Sequence, residues 1–273
     1  MTRPVPIEHL AFDAQTGCVT ALVWAGGTVP VESWGCEFGN WHGFFSQARM
    51  GGTAVEVRRR QVVGGPQEVT ARFDVAYPGG TFRFTGREML ADGRLQRRYE
   101  LEALERSTLG DFVVRLGAAA SRWPEARLGD RRLDHRNRNR MVLLPERTAR
   151  LVGPDLHLVS TLAAVDCPDS LDVLTYVRDE PGGLWIVHHR LLTRDGACDE
   201  YAFRFWRGTW SSYDHSWLRW KLMRRLFWRL AERRPGLIRA TIQVGGNIAL
   251  DAGTRLRMES VAHLEAAGGP QGA

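Results

Sequence analysis

Apolar and polar residues alternate with a period of two through residues 69–116. Val69, Ala71, Phe73, Val75 and Tyr77 share one side, with Thr70, Arg72 and Asp74 opposite. Leu95, Tyr99, Leu101 and Ala103 likewise oppose Gln96, Arg98, Glu100 and Glu102. Successive side chains of a strand point to opposite faces, so the pattern predicts strands with one buried side. Thr81-Phe-Arg-Phe-Thr85 and Phe112-Val-Val-Arg-Leu116 extend it, and Pro78-Gly79-Gly80, Ala91-Asp92-Gly93 and Leu109-Gly110-Asp111 supply the turns. The expectation is a consecutive antiparallel sheet.

Residues 7–31 predict an opening hairpin, with turns at Thr16-Gly17 and Gly26-Gly27. The segment 34–51, aromatic-rich, glycine-rich and not periodic, reads as a loop over the end of the sheet or as part of a binding site. From Ser121 to Arg140 arginines mix with Glu125, Asp130 and Asp134, which predicts a long connection. It is either a solvated face or a positive wall for an acidic substrate. Strands resume near 141–144, 156–159, 171–177, 184–190 and 201–206, and two more close the chain at 238–244 and 256–264. Residues 216–234, stopped by Pro235-Gly236, predict one amphipathic helix with Trp220, Met223, Leu226, Phe227 and Leu230 on one side. Such a helix packs across a sheet, lies on an anionic membrane surface as a peripheral contact, or meets a partner. The fold class expected is all-β, a large antiparallel β-sandwich forming a single domain over 1–265, with a flexible tail at 266–273.

The 273 residues are 44% hydrophobic and include ten tryptophans, enough for a packed core rather than disorder. The net charge of +6 comes almost wholly from arginine, since Lys221 is the only lysine. The arginines are scattered over strands with no helix-turn-helix or finger spacing, so no nucleic-acid partner is expected. Cys18, Cys36, Cys167 and Cys198 lie far apart and read as free thiols of a reducing compartment. No stretch of eighteen apolar residues and no apolar N-terminal run is present, so a soluble cytoplasmic protein is expected. There is no H-E-x-x-H, P-loop, dinucleotide fingerprint or G-x-S-x-G elbow, which argues against the enzyme classes that depend on them.

Phe12-Asp-Ala-Gln-Thr-Gly17 followed by Val19-Thr-Ala-Leu-Val23 resembles the opening hairpin of galactose-mutarotase-like β-supersandwich domains. Gly93-Arg-Leu-Gln-Arg-Arg-Tyr-Glu-Leu101 is similar to their mid-sheet strands, and Ala252-Gly-Thr-Arg-Leu-Arg-Met258 to their terminal hairpin. The resemblance implies sugar ligands on a concave sheet face, among epimerases, lyases and non-catalytic sugar-recognition domains. It implies a histidine acid and a glutamate base for the epimerases. Ser121-Arg-Trp-Pro124 and the arginine-rich segment stand in the stretch comparable to the one that carries that family's catalytic histidine.

A sugar-modifying site needs a proton donor and an acceptor flanking one carbon, each tuned near the working pH. His189, His215, Glu37 and Tyr213 are the candidate catalytic groups. Trp34, Trp41, His42, Arg83, Arg98, His188, Arg190, Trp206 and Trp210 are candidate ligand contacts, the tryptophans as stacking surfaces and the arginines as grips for an anionic group. His188 and His189 are consecutive on a strand, so only one can face any given hollow, and His189 shares its side with Trp185 and Val187. Asp214 in Tyr213-Asp-His215 suits a helix cap. The expectation is an epimerase- or lyase-like carbohydrate enzyme working by proton transfer on a sugar or sugar acid, with no cofactor and no metal. The alternatives are a non-catalytic sandwich binding a glycan, lipid or hydrophobic metabolite, or a tailoring enzyme for such a metabolite. The oligomeric state is open.

Overall fold

The computed structural model describes residues 3–40, 43–137, 140–144, 146–180, 182–193 and 248–267. The helix expected at 216–234 and the strands expected at 201–206 and 238–244 lie outside the described residues, as do Trp41, His42, Trp206, Trp210, Tyr213 and His215.

The architecture is an all-β sandwich built on two large sheets. One runs in the order β15 (Arg131–Asp134), β14 (Glu125–Leu128), β17 (Thr148–Val152), β18 (Leu156–Asp166), β22 (Arg255–Ala266), β11 (Arg94–Ala103), β10 (Gly80–Ala91), β9 (Glu68–Tyr77), β8 (Glu56–Gly64), with β1 (Arg3–Val5) also paired to β22. The other runs β16 (Arg140–Leu144), β19 (Leu171–Glu180), β20 (Leu184–Thr193), β13 (Asp111–Ala119), β5 (Glu32–Gly39), β6 (Phe44–Ser46), β7 (Gly51–Thr53). A small sheet of β2 (His9–Phe12), β3 (Val19–Trp24) and β4 (Gly27–Pro30) and a pair of β12 (Ser107–Leu109) with β21 (Ile248–Leu250) complete it. Every strand pairing among the described residues is antiparallel.

The alternation seen in the sequence becomes the inner faces of the two sheets. Val69, Ala71, Phe73, Val75 and Tyr77 of β9 are all buried, as are Leu95, Tyr99, Leu101 and Ala103 of β11. Phe38 of β5 sits among Phe45, Phe82, Phe84 and Phe112, with ring centroids 5.1, 6.0, 6.4 and 6.4 Å away. Tilted, stacked and edge-on ring pairs of this kind add about 0.5–1.5 kcal/mol each beyond the area they bury. A second cluster, with Leu22, Val29, Trp34, Trp123, Leu151, Leu158 and Trp185, joins the three-stranded sheet to one end of the sandwich. Between β10 and β11, Asp92 and Gly93 both take positive φ (51° and 69°), which matches the twist that a two-residue hairpin requires.

The outward face of the ten-stranded sheet carries ion pairs, including Arg87–Glu68 at 2.6 Å and Arg150–Glu265 at 3.0 Å. Its rim is β8, where the register breaks between Arg58 and Gln61.

Four expectations are corrected. Residues 34–51 are largely strand, because Trp34, Cys36 and Phe38 do alternate inward while Gly35 and Gly39 on the other face hide the period. The arginine-rich segment forms the β14–β15 hairpin, since Ala126, Leu128 and Leu133 turn into the core. Phe112–Leu116 does not continue the first sheet: β13 crosses to the other one, between β20 and β5. Ala266, placed in a frayed tail from sequence, is paired with both Arg3 and Leu156.

Candidate functional site

In β20, Trp185, Val187 and Leu191 are buried in the two core clusters, so alternation turns His188 and Arg190 to the opposite face. The same rule in β5 sends Cys36 and Phe38 inward and Glu37 outward. In β13, Phe112, Val114 and Leu116 go inward, and Asp111, Val113 and Arg115 outward. The register then assembles these outward positions. One row runs Tyr176, His188, Arg115, Gly35, and the next runs Leu174, Arg190, Val113, Glu37, Ser46. Neighbouring strands are about 4.8 Å apart and successive same-face rows about 7 Å apart, so Glu37 on β5 and His188 on β20 stand about 12 Å apart, backbone to backbone, across the intervening β13.

This face is polar yet mostly withdrawn from solvent. Arg115 is bonded to Glu37, with side-chain exposures of 13% and 14%. Arg190 is bonded to Asp111 and to the Tyr176 hydroxyl. Arg178 pairs with Glu180 at 2.5 Å on the same strand. The Tyr176 and His188 rings lie 4.3 Å apart, centroid to centroid, at 32°. Burial raises the affinity of the Glu37 carboxyl for its proton, against the opposing pull of Arg115 and the Ser46 hydroxyl. Burial, followed by the charges of Arg115, Arg190 and Arg178, pushes His188 well below the ordinary histidine range, so its imidazole is neutral at neutral pH. Burial also raises Tyr176, which keeps its phenolic proton. Among the described residues, Nδ1 of His188 and Nε of Arg115 are buried here without a hydrogen-bond partner.

Of the residues singled out from sequence, Glu37, His188 and Arg190 share this face. His189 faces the other way, into the inter-sheet core. Its Nε2 lies 3.0 Å from the Ser160 hydroxyl and its Nδ1 3.0 Å from the Thr175 hydroxyl, and burial and then Arg97 lower its pKa to about 3. Both of its ring nitrogens are occupied, and strand parity turns it away from Glu37. Trp34 is also a core residue: its indole N–H donates to Glu88 at 2.7 Å, and the Arg97 guanidinium lies 4.1 Å over its ring. Arg83 and Arg98 project from the outward side of the ten-stranded sheet, where Arg83 pairs with Asp74 at 2.9 Å and Arg98 with Glu100. Strand parity puts them on the far side of the sandwich from Glu37.

Asp111, Arg115 and Tyr176 are additions from the structure. The available signal was a charged residue inside an otherwise apolar strand, as in Val-Val-Arg115-Leu. A further buried group lies behind the site. Arg97 and Glu88 form an ion pair in the core (side-chain exposures 0% and 3%), and Tyr99 donates to Glu88. Arg97 also donates to the backbone carbonyl of Arg115 at 2.9 Å, which ties the core network to a strand of the site. Among the described residues no group of three His, Cys, Asp or Glu side chains is placed to hold a metal ion, and no helix is long and apolar enough to cross a membrane.

No protein-family model matches the sequence, and no curated protein matches it. Solved structures similar to the chain include a galactose mutarotase-like protein from Clostridium acetobutylicum, at 8% identity and a TM-score of 0.49, covering 97% of this chain and 94% of that one. Another is a galactose mutarotase-like protein from Lactobacillus casei ATCC 334, at 12% identity and a TM-score of 0.45, covering 97% and 99%. A third is the galactose mutarotase related enzyme from Lactobacillus acidophilus, at 9% identity and a TM-score of 0.46, covering 96% of each chain. These likenesses assign no residue a role, and the chemistry of this chain stands on its own residues.

Proposed function

We propose that the outward face of β19, β20, β13 and β5 is a ligand site for acid/base proton transfer on a sugar or sugar acid, carried out by side chains without a cofactor. One observation carries this reading: a carboxyl group of raised basicity and a neutral imidazole stand on either side of one strand, on one partly desolvated face. Glu37 serves as the base, since a carboxylate held in a poorly solvated place takes up a proton more readily than one in water. His188 serves as the donor. A neutral imidazole can hydrogen-bond a carbonyl or carboxyl oxygen of the ligand from its N–H and stabilise the negative charge that develops there. Arg115 orients Glu37 and compensates its charge, while Arg190 holds Tyr176 where its hydroxyl can meet a ligand hydroxyl.

The test is anomer or epimer exchange followed by NMR over a panel of aldoses and uronic acids. Turnover by the wild type should fall about 10²–10⁴-fold in Glu37→Gln and in His188→Phe, the range expected for losing a positioned acid or base. Full activity in both variants would refute the assignment. The same face also suits a non-catalytic receptor, because Arg115 and Arg190 already engage both carboxylates. Saturable binding with no accelerated exchange would select that reading.

A further inference from the structure

Two nitrogens on this face that lack partners among the described residues are neighbours. Arg115 and His188 are directly opposite one another on β13 and β20, and each leaves one ring or guanidinium nitrogen buried and unbonded: Nε of Arg115 and Nδ1 of His188. Arg115 directs Nη1 to Glu37, so its Nε–H is a separate donor. Buried polar nitrogens without a partner are rare in folded proteins, and two side by side on one polar face point to a ligand that supplies the partners. The fixed charges do not decide what that ligand is. Arg115, Arg178 and Arg190 are each set against a carboxylate, from Glu37, Glu180 and Asp111.

The hydrogen-bonding character of the two atoms is more informative. Guanidinium Nε–H can only donate, and the neutral imidazole donates from Nδ1 in the tautomer that carries its proton there. A carboxylate is acceptor-only and offers two oxygens in one plane, which matches donors from adjacent strands. A sugar hydroxyl would fill one such position and would need an acceptor for its own hydrogen, and the nearest carboxylate, Glu37, is already bonded to Arg115. We infer that Arg115 Nε and His188 Nδ1 form a carboxylate subsite, so that the ligand of this face is a sugar acid rather than a neutral sugar. This rests on the reading of the face as a sugar site.

The experiment measures binding of D-glucuronate, D-glucose and acetate to the full chain by titration calorimetry. It compares the wild type with Arg115→Lys, which keeps the charge and loses the Nε–H, and with His188→Phe and His188→Asn, each first shown to unfold cooperatively. Glucuronate should bind at least about tenfold more tightly than glucose, a difference of about 1.4 kcal/mol. Arg115→Lys and either His188 variant should bring that ratio towards one. Equal affinity for the two sugars in the wild type, or a preference for the acid that survives in all variants, would overturn the subsite while leaving a sugar site standing. If acetate binds and is lost in the variants while neither sugar binds, the subsite holds and the sugar reading falls. If none of the three binds, both fall.

Discussion

Arg97 and Glu88 provide the most demanding test of how the interior is held together. The pair is desolvated on all sides, between the two sheets. Glu88 accepts from the Trp34 indole at 2.7 Å, from Arg97 Nε at 3.4 Å and from the Tyr99 hydroxyl. Arg97 also donates to the Tyr99 oxygen at 3.0 Å and to the Arg115 carbonyl at 2.9 Å. Replacing Arg97 by Met keeps much of the volume and leaves a buried carboxylate without its cation. Replacing Glu88 by Gln keeps the shape and leaves a buried guanidinium without its anion. Each single change should lower stability by about 3–5 kcal/mol, the cost of stranding one member of a buried pair. The double variant is neutral in the core, and its glutamine carbonyl can still accept from Trp34 and Tyr99. It should therefore lose much less than the sum of the two singles, with a coupling of at least about 2 kcal/mol. Equilibrium unfolding in urea, read as midpoint and slope for all four proteins, measures this cycle. Losses that simply add, or single losses below about 1 kcal/mol, would refute the idea that the charges are dry and mutually dependent in the folded state.

His189 is held neutral with a pKa near 3, against about 6.5 for a free imidazole, so the unfolded chain binds a proton that the folded one does not between those values. Its contribution is complete above pH 6.5 and is lost as the pH falls towards 3. Stability should drop by about 1.4 kcal/mol per pH unit from this group, and His189→Gln should flatten that slope in urea titrations between pH 4 and 7. Gly35 has φ +108°, and a Cβ there would lie 2.8 Å from Cys18 Sγ and 2.8 Å from Gln47 Oε1. Gly35→Ala should cost about 1–3 kcal/mol from backbone strain alone, and an unchanged unfolding midpoint would contradict this. Phe38→Ala removes the ring around which four other phenylalanines gather and should lower stability by about 3–5 kcal/mol in the same assay.

Much of the sandwich is legible because one side of each strand is apolar and the other is not. That signal works for β9 and β11, where outward positions are charged. It fails for β5, where Gly35 and Gly39 occupy the outward side and leave only a run of aromatics to read. The arginine-rich hairpin of β14 and β15 fails for a related reason. Its strands are four residues each, too short for a period to emerge, and their inward positions hold only Ala126, Leu128 and Leu133. Within the site, the opposite orientation of His188 and His189 follows from sequence, but which of them meets Glu37 depends on how β20 pairs. Arg97 and Arg115 look like ordinary solvated arginines in their own strands. Their burial is decided by Glu88, Trp34 and Glu37, and the last is 78 residues away from Arg115. No local pattern encodes such a partner.

The back-to-back imidazoles of β20 constrain how this protein can diverge. Adding or deleting one residue upstream in that strand would exchange every inward position for an outward one. It would put a histidine already bonded to Ser160 and Thr175 where the open nitrogen is needed, and turn Arg190 into the phenylalanine core. Length changes in steps of two, or substitutions in place, avoid that reversal. New ligand preferences in a lineage carrying this strand should therefore arise by exchanging side chains along a preserved frame, with insertions confined to the turns that join the strands.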